Sequence, residues 1–368
     1  MNQRDRRKKG HQSHFPLPFF ILILYYIFMV FSNVQIMRFI PTNYHTHQKE
    51  ESMEKNGTEE NSSESCTFFK ALPALALYLG TIHFNLILIL FATFFLPLSK
   101  ALLVFGLLFV FVMIPVDDKS MFGRKLSKYI CKNICSYFPI KLHVEEPKAF
   151  LPNHAYVFGY EPHSAFPIGM VALGDGAGMM PLAKTKFLAS SAVFYIPFMR
   201  HIWRWLGFTA VTKKNFISSL ECGYSVIFVP GGVHETVFLE AGSEIVFLKE
   251  RRGFVRIAME MGVPLVPVFC FGQTNSFKWW KVPGKLIQKL ARFMKIVPLF
   301  YWGIYGSPIP FKNPLYIAVG KPIELHKNSE PTMEQVVKVH SQFVEALQDL
   351  FERHKAEAGY TNLQLKIV

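Results

Sequence analysis

The stretch from residue 71 to 96 is long and apolar enough to cross a bilayer, and no other feature of this chain restricts its fold as much. A helix of this kind satisfies every backbone group internally, so it is stable in hydrocarbon. The following apolar run, 101–115, is too short to cross untilted. Pro97, Leu98, Ser99 and Lys100 separate the two. The pattern predicts a hairpin over 71–115 that dips into the membrane and returns to the same face; the competing reading is a pair of helices buried in a soluble core. A further apolar run, from about Phe15 to Phe31, follows the basic cluster Arg4, Arg6, Arg7, Lys8 and Lys9, as in a signal anchor. Residues 41–66 are polar and acidic, carry sequons at Asn56 and Asn61, and read as disordered linker. A cytosolic basic N-terminus, a crossing at 15–31 and a same-face hairpin would together place the rest of the chain in the lumen. One of three alternatives then holds: 71–96 crosses once and 101–115 lies at the interface, the first run is not used as a span, or translation starts at Met53.

With 368 residues, 51% of them hydrophobic, the chain can bury a sizeable core beside these segments. Beyond residue 120, short β-branched or aromatic runs alternate with helical stretches, the pattern of an α/β domain. Strands are predicted at 155–160, 207–212, 224–229, 264–271 and 315–319, each nearly all apolar, as in a sheet covered on both faces. The last helix is capped by Thr332 with Gln335 three residues on. It shows an apolar stripe of Val336, Val339, Phe343, Leu347, Leu350 and Phe351, and should stop near Gly359. The organisation is therefore an N-terminal extension (1–70), a transmembrane or membrane-embedded hairpin (71–115) and an α/β domain (116–368).

Forty Lys and Arg against 26 Asp and Glu give a net charge of +14, which calls for an anionic partner. Lipid headgroups or a phosphate-bearing ligand fit. Nucleic acid is not expected, because no zinc-finger, RNA-recognition or basic-heptad spacing accompanies the charge. Five scattered cysteines, an odd number, argue against a disulfide framework and for a reducing compartment. Cys131 and Cys135 are four apart with only His143 near them in sequence, so they read as structural and no metal is expected.

Glu161-Pro162-His163-Ser164 closes the strand-like run Ala155–Tyr160. Histidine is the side chain best suited to accept a hydroxyl proton near neutral pH. Proline biases Glu161 toward extended backbone, which would aim Glu161 and His163 at one cavity wall; the bland alternative is a turn with a satisfied histidine. A second glycine turn, Pro230-Gly231-Gly232-Val233-His234-Glu235-Thr236, follows the strand at 224–229. Open α/β sheets bind ligands at such strand ends. Glu235 is placed to orient His163, as carboxylates do in hydrolase triads, or else is a solvated turn residue. Lys249, Arg251 and Arg252 precede a helix start, where cations disfavour the helix unless an anion docks there; a solvated basic surface is the other reading. Between Phe277 and Trp302, Lys278, Trp279, Trp280, Lys281, Lys285, Lys289, Arg292 and Lys295 suit either a membrane headgroup layer or a basic helix packed on the core.

These blocks, in this order from about Ala71 onward, resemble the type 2 diacylglycerol acyltransferase family in its plant-type form. The likeness rests on Tyr160–Ser164, Pro230–Glu235, Arg251–Gly262 and Val266–Gly272. Animal members carry His-Pro-His-Gly at the tetrad, so Glu161 and Ser164 mark the plant-type version. The wider glycerolipid acyltransferases place an Asp five residues after the histidine, where this chain has Ile168; the carboxylate partner must come from elsewhere, first Glu235, then Glu161. Phe95-Leu96-Pro97-Leu98 resembles the family's neutral-lipid box, and Leu365–Val368 resembles termini that include an endoplasmic reticulum retrieval signal.

The resemblance implies a glycerolipid-acyltransferase-like sheet flanked by helices. It implies an acyl-CoA-dependent enzyme that esterifies diacylglycerol to triacylglycerol at the endoplasmic reticulum membrane, its catalytic domain facing the cytosol. His163 would be the base, with Glu235 and Glu161 assisting. Ser164, Gly231 and Gly232 would contact substrate, the two glycines through an oxyanion, and Lys249, Arg251 and Arg252 would hold the coenzyme A phosphates. No cofactor is needed beyond acyl-CoA as co-substrate. Diacylglycerol and membrane lipid are the other partners, and a homo-oligomer stays open. Two alternatives stand beside this: a monoacylglycerol or long-chain alcohol acceptor, and a non-catalytic membrane-shaping lipid-binding protein.

Overall fold

The computed structural model describes residues 68–368 except 119, 183, 241 and 282–298. The basic cluster, the run at 15–31, the linker, Met53, and Lys285, Lys289, Arg292 and Lys295 lie outside the described residues. The apolar run forms helix α1 (Phe68–Phe95), with a π turn at Ala76–Gly80, and this is long and apolar enough to cross a membrane by length and composition. After the break at Leu96-Pro97 comes α2 (Leu98–Met113). Large apolar side chains along both, Phe94, Phe95, Leu98 and Leu103 among them, are exposed. Among the described residues no other surface is so apolar over such a length, as a lipid-facing segment requires.

The α/β domain opens with α3 (Met121–Tyr137), capped by the Ser120 hydroxyl, which accepts from the Gly123 amide. Seven strands then form one sheet: β1 (Ile140–Val144), β2 (Val157–Glu161), β3 (Thr185–Ala189), β4 (Phe208–Ala210), β5 (Ser225–Phe228), β7 (Leu265–Phe271) and β10 (Leu315–Val319). Their spatial order is β1-β10-β7-β2-β5-β3-β4. All neighbours run parallel except β10 and β7. The five predicted strands are present: the last has the predicted bounds, three are trimmed at their ends, and the first is shifted to Val157–Glu161. The four central ones, β10, β7, β2 and β5, are buried at every residue, as their unbroken apolar runs require.

Two small ladders are separate from this sheet: β6 (Ser243–Val246) with β11 (Gln364–Ile367), parallel, and β8 (Lys278–Lys281) with β9 (Leu299–Trp302), antiparallel. The cation- and indole-rich segment at 278–281 is thus a strand, not the helix considered for it, and successive residues along it face opposite sides of the ladder.

Helices α4 (Met199–Trp205), α5 (Lys213–Glu221) and α6 (Gly253–Met261) cover the sheet together with α7 (Met333–His354). At the start of α7 the Thr332 hydroxyl accepts from the Gln335 amide while the Gln335 side chain accepts from the Thr332 amide. The helix ends at His354, a turn before the expected Gly359, and Gly359 instead closes the loop after it with φ +84°. The α7 stripe seals the core: Phe343, Leu347, Leu350 and Phe351 are fully buried. Gly159 on β2 permits this approach, since a Cβ there would sit 2.5 Å from the Phe343 ring.

Candidate active site

Strands β5, β2 and β7 are neighbours and parallel, so the loops leaving their C-terminal ends emerge on one edge of the sheet. That edge gathers Pro230–Thr236, Glu161–Ser164 and Gly272–Thr274, three segments far apart in sequence.

His163 is half-buried. Its Nδ1 lies 2.9 Å from the Ser164 carbonyl oxygen, which can only accept, so Nδ1 carries the hydrogen and Nε2 is left as the basic nitrogen. Burial lowers the imidazole pKa, against a smaller upward pull from the Ser164 carbonyl, and the ring is neutral at neutral pH. The chemistry this permits is proton acceptance at Nε2.

Glu235 sits within reach of His163, but not as expected. Its carboxylate accepts from the His163 main-chain amide at 2.8 Å and the Phe247 amide at 3.1 Å, so it holds the backbone of the histidine turn and leaves the ring to Ser164. The side chain folds back over its own turn: a Cβ at Gly231 would lie 2.0 Å from a Glu235 oxygen, which is why a glycine stands there. Gly232 has φ +59°, in the region glycine adopts freely.

Glu161 is fully buried and neither of its oxygens receives a protein hydrogen bond. It faces Glu235, and a bond between the two carboxyls needs a proton from one of them. Burial, then the Glu235 charge, hold Glu161 well above the usual carboxylate range, so Glu161 carries that proton. Burial also pushes Glu235 up to about 7, opposed by the bond from Glu161 and by the amides of His163 and Phe247. The Gly231 amide is turned toward Glu161 without closing a hydrogen bond to it.

Ser164, φ +52°, is buried, and its hydroxyl lies 2.8 Å from the Thr274 hydroxyl. Thr274 in turn donates to Glu244 at 2.8 Å. Glu244 is buried, which pushes its carboxyl up to about 7. Gln273, also buried, accepts from the Tyr160 hydroxyl at 2.6 Å and the Gly169 amide at 3.0 Å, and donates to the Pro162 carbonyl at 2.7 Å. No motif in the local sequence singles out Gln273, Thr274 or Glu244. The only signal for the first two was a polar pair directly after a buried strand and a glycine, Gly272, at φ +86°.

Lys249, Arg251 and Arg252 are exposed. The Arg251 guanidinium lies 4.9 Å over the Phe247 ring, whose amide serves Glu235, and the Arg251 charge is felt at that carboxylate. Arg252 stands at the N-cap of α6. The basic segment therefore adjoins the strand-end edge. His234 packs on Phe247 and Phe238, at 4.7 and 5.7 Å between ring centres.

The family model "Diacylglycerol acyltransferase" matches residues 90–367. A similar relative is the "Diacylglycerol O-acyltransferase 1" of Schizosaccharomyces pombe, 30% identical over 313 residues, covering 77% of this chain and 88% of the relative. The human "Acyl-CoA wax alcohol acyltransferase 2" is 29% identical, over 63% of this chain and 75% of its own length. Among solved structures, the 1-acyl-sn-glycerophosphate acyltransferase PlsC of Thermotoga maritima shows a slight likeness, TM-score 0.38 and 16% identity over 74% of this chain and 97% of that one. The family match takes in all three loops of the strand-end edge, and the chain belongs to the diacylglycerol acyltransferase family.

Proposed function

We propose that this enzyme transfers the acyl chain of an acyl-CoA to the free hydroxyl of diacylglycerol, forming triacylglycerol on the cytosolic side of the endoplasmic reticulum membrane. The observation that carries the reading is the neutral His163 with Nδ1–H committed to the Ser164 carbonyl and Nε2 basic, in a chain of this family. Nε2 takes the hydroxyl proton as the alcohol oxygen bonds to the thioester carbonyl carbon. The carbon–sulfur bond then breaks, and the proton passes from the imidazolium to the departing coenzyme A sulfur. The thioester is already activated, so the balance closes without a cofactor. General-base assistance contributes about a hundred- to ten-thousandfold, and holding both substrates in place supplies the remainder.

The Gly232 amide, at the start of the turn, is the oxyanion donor in this scheme, since the Gly231 amide is turned toward Glu161. Lys249, Arg251 and Arg252 bind the coenzyme A phosphates. The paired helices α1 and α2 seat the sheet, taken as a glycerolipid-acyltransferase-like one, on the membrane and admit diacylglycerol from it.

The test is a labelled acyl-CoA assay in isolated membranes with diacylglycerol, monoacylglycerol and a long-chain alcohol as acceptors. Wild type should label triacylglycerol, and His163→Ala at equal protein should not. An active His163→Ala enzyme removes the assigned base, and a preference for another acceptor moves the substrate.

A further inference from the structure

We propose that Gln273 and Thr274 are positioning residues for His163, gripping the chain on both sides of it so that Nε2 is aimed and Nδ1 stays bonded to Ser164. This rests on His163 being the base, as argued above. Three observations carry it. The Gln273 amide donates to the Pro162 carbonyl, one residue before the histidine, and its oxygen is held by the Tyr160 hydroxyl and the Gly169 amide. Thr274 holds the Ser164 hydroxyl, one residue after the histidine. Ser164 is also the residue whose carbonyl sets the imidazole tautomer.

The order of donors in the second grip follows from proton counting. A threonine hydroxyl has one hydrogen, and Glu244, once ionised, can only accept. Thr274 therefore gives its hydrogen to Glu244 and receives that of Ser164, so the chain runs Ser164 to Thr274 to Glu244. The Ser164 hydroxyl is thus spent inward on holding the turn, and its left-handed backbone is pinned from the side chain. A non-glycine residue in that region persists only when its surroundings over-determine it. Release of Ser164 would let its carbonyl turn away from Nδ1.

Thr274→Val keeps the shape and removes the hydroxyl; Thr274→Ser restores the hydroxyl. Steady-state acyl transfer should fall about ten- to a hundredfold in kcat in the valine variant, as expected for a misaimed catalytic group, with the acyl-CoA KM within about twofold of wild type. The serine variant should recover most of the lost rate. The Nδ1–H bond to a carbonyl favours the charged imidazole, so its loss lowers the His163 pKa. The acid limb of the kcat profile should move to lower pH in Thr274→Val and not in Thr274→Ser.

Gln273→Glu, which keeps the acceptor for Tyr160 and Gly169 but sets a carboxylate oxygen against the Pro162 carbonyl, is the second variant and should also lower kcat while sparing KM. Wild-type kcat and pH profile in Thr274→Val and Gln273→Glu, alongside a dead His163→Ala enzyme, would overturn the positioning role alone. Activity in His163→Ala would overturn the reading beneath it.

Discussion

A buried carboxyl group with no donor for either oxygen, as at Glu161, is tolerable in a protein interior only while it keeps its proton. Glu235 supplies the reason the proton stays: its carboxylate already holds two main-chain amides and accepts from Glu161 as well. The pair then carries one negative charge, placed on the residue that fixes the histidine backbone. Glutamine at 161 keeps a donor toward Glu235 with no proton at stake, so Glu161→Gln should retain acyl transfer within severalfold. Glutamine at 235 turns an NH2 toward the amides of His163 or Phe247, and Glu235→Gln should lose about a hundredfold in kcat, consistent with a misplaced catalytic group. The pH dependence has a definite sign. A carboxyl raised on folding contributes stability that is complete below its ordinary value of 4.5 and is lost as pH rises through the elevated folded value. Thermal unfolding of detergent-solubilised protein should therefore show a larger fall in midpoint as pH rises from 4.5 for wild type than for Glu161→Gln. Equal falls would take the proton off Glu161.

Strand β11 makes the same edge depend on a segment about 120 residues from β6. Leu365 and Ile367 pack against the core, and the amides of Leu248 and Lys249 both donate to the Val368 carbonyl. The partner β6 carries Glu244 and leads into Phe247, so the ladder holds the acceptor for Thr274 and a donor to Glu235. Deleting residues 364–368 should abolish acyl transfer in isolated membranes, where cellular address no longer matters; full activity there would leave the segment with a sorting role only. Nothing in four residues announced a strand, because the apolar alternation is too brief to separate from chance. The same limit explains β1 and β3: Lys141 and Lys186 interrupt their runs, and the protein accommodates them by laying each ammonium over a ring, Tyr316 and Tyr224. Strands β2, β5, β7 and β10 were legible because burial on both faces leaves an unbroken apolar run. At the edge, His163, Glu161 and Glu235 could be read from local motifs, whereas Gln273 and Thr274 could not. Their partners around the histidine turn lie more than a hundred residues away and only the order β5-β2-β7 unites them.

Membrane attachment is decided by how the two apolar helices are tied to the domain. The first half of α1 is bonded inward: Trp203 on α4 donates to the Tyr78 carbonyl at 3.1 Å, and the two rings stack at 5.7 Å. Asn85 donates to the Pro197 carbonyl at 2.9 Å. Just past the end of α2, the Ile114 carbonyl accepts from Arg200 at 3.0 Å. Both ends of the paired segment are thus pinned to one stretch, 197–203. What projects beyond these ties is 86–95, the last ten residues of α1, and Leu98–Met113, 16 residues. At about 1.5 Å per residue these are about 15 and 24 Å long, short of a hydrocarbon core of about 30 Å. Two short arms with a common base and Pro97 between them favour a hairpin that enters and leaves by one leaflet. Single cysteines at Lys70, Leu98 and Asp118 test this in sealed microsomes with a membrane-impermeant maleimide, read against wild-type labelling. Lys70→Cys and Asp118→Cys should both react from the outside, the cytosolic face, and Leu98→Cys from neither side until detergent is added. Labelling of the two flanks from opposite sides would make α1 a complete crossing, and diacylglycerol would then reach His163 along a spanning helix instead of through a notch in one leaflet.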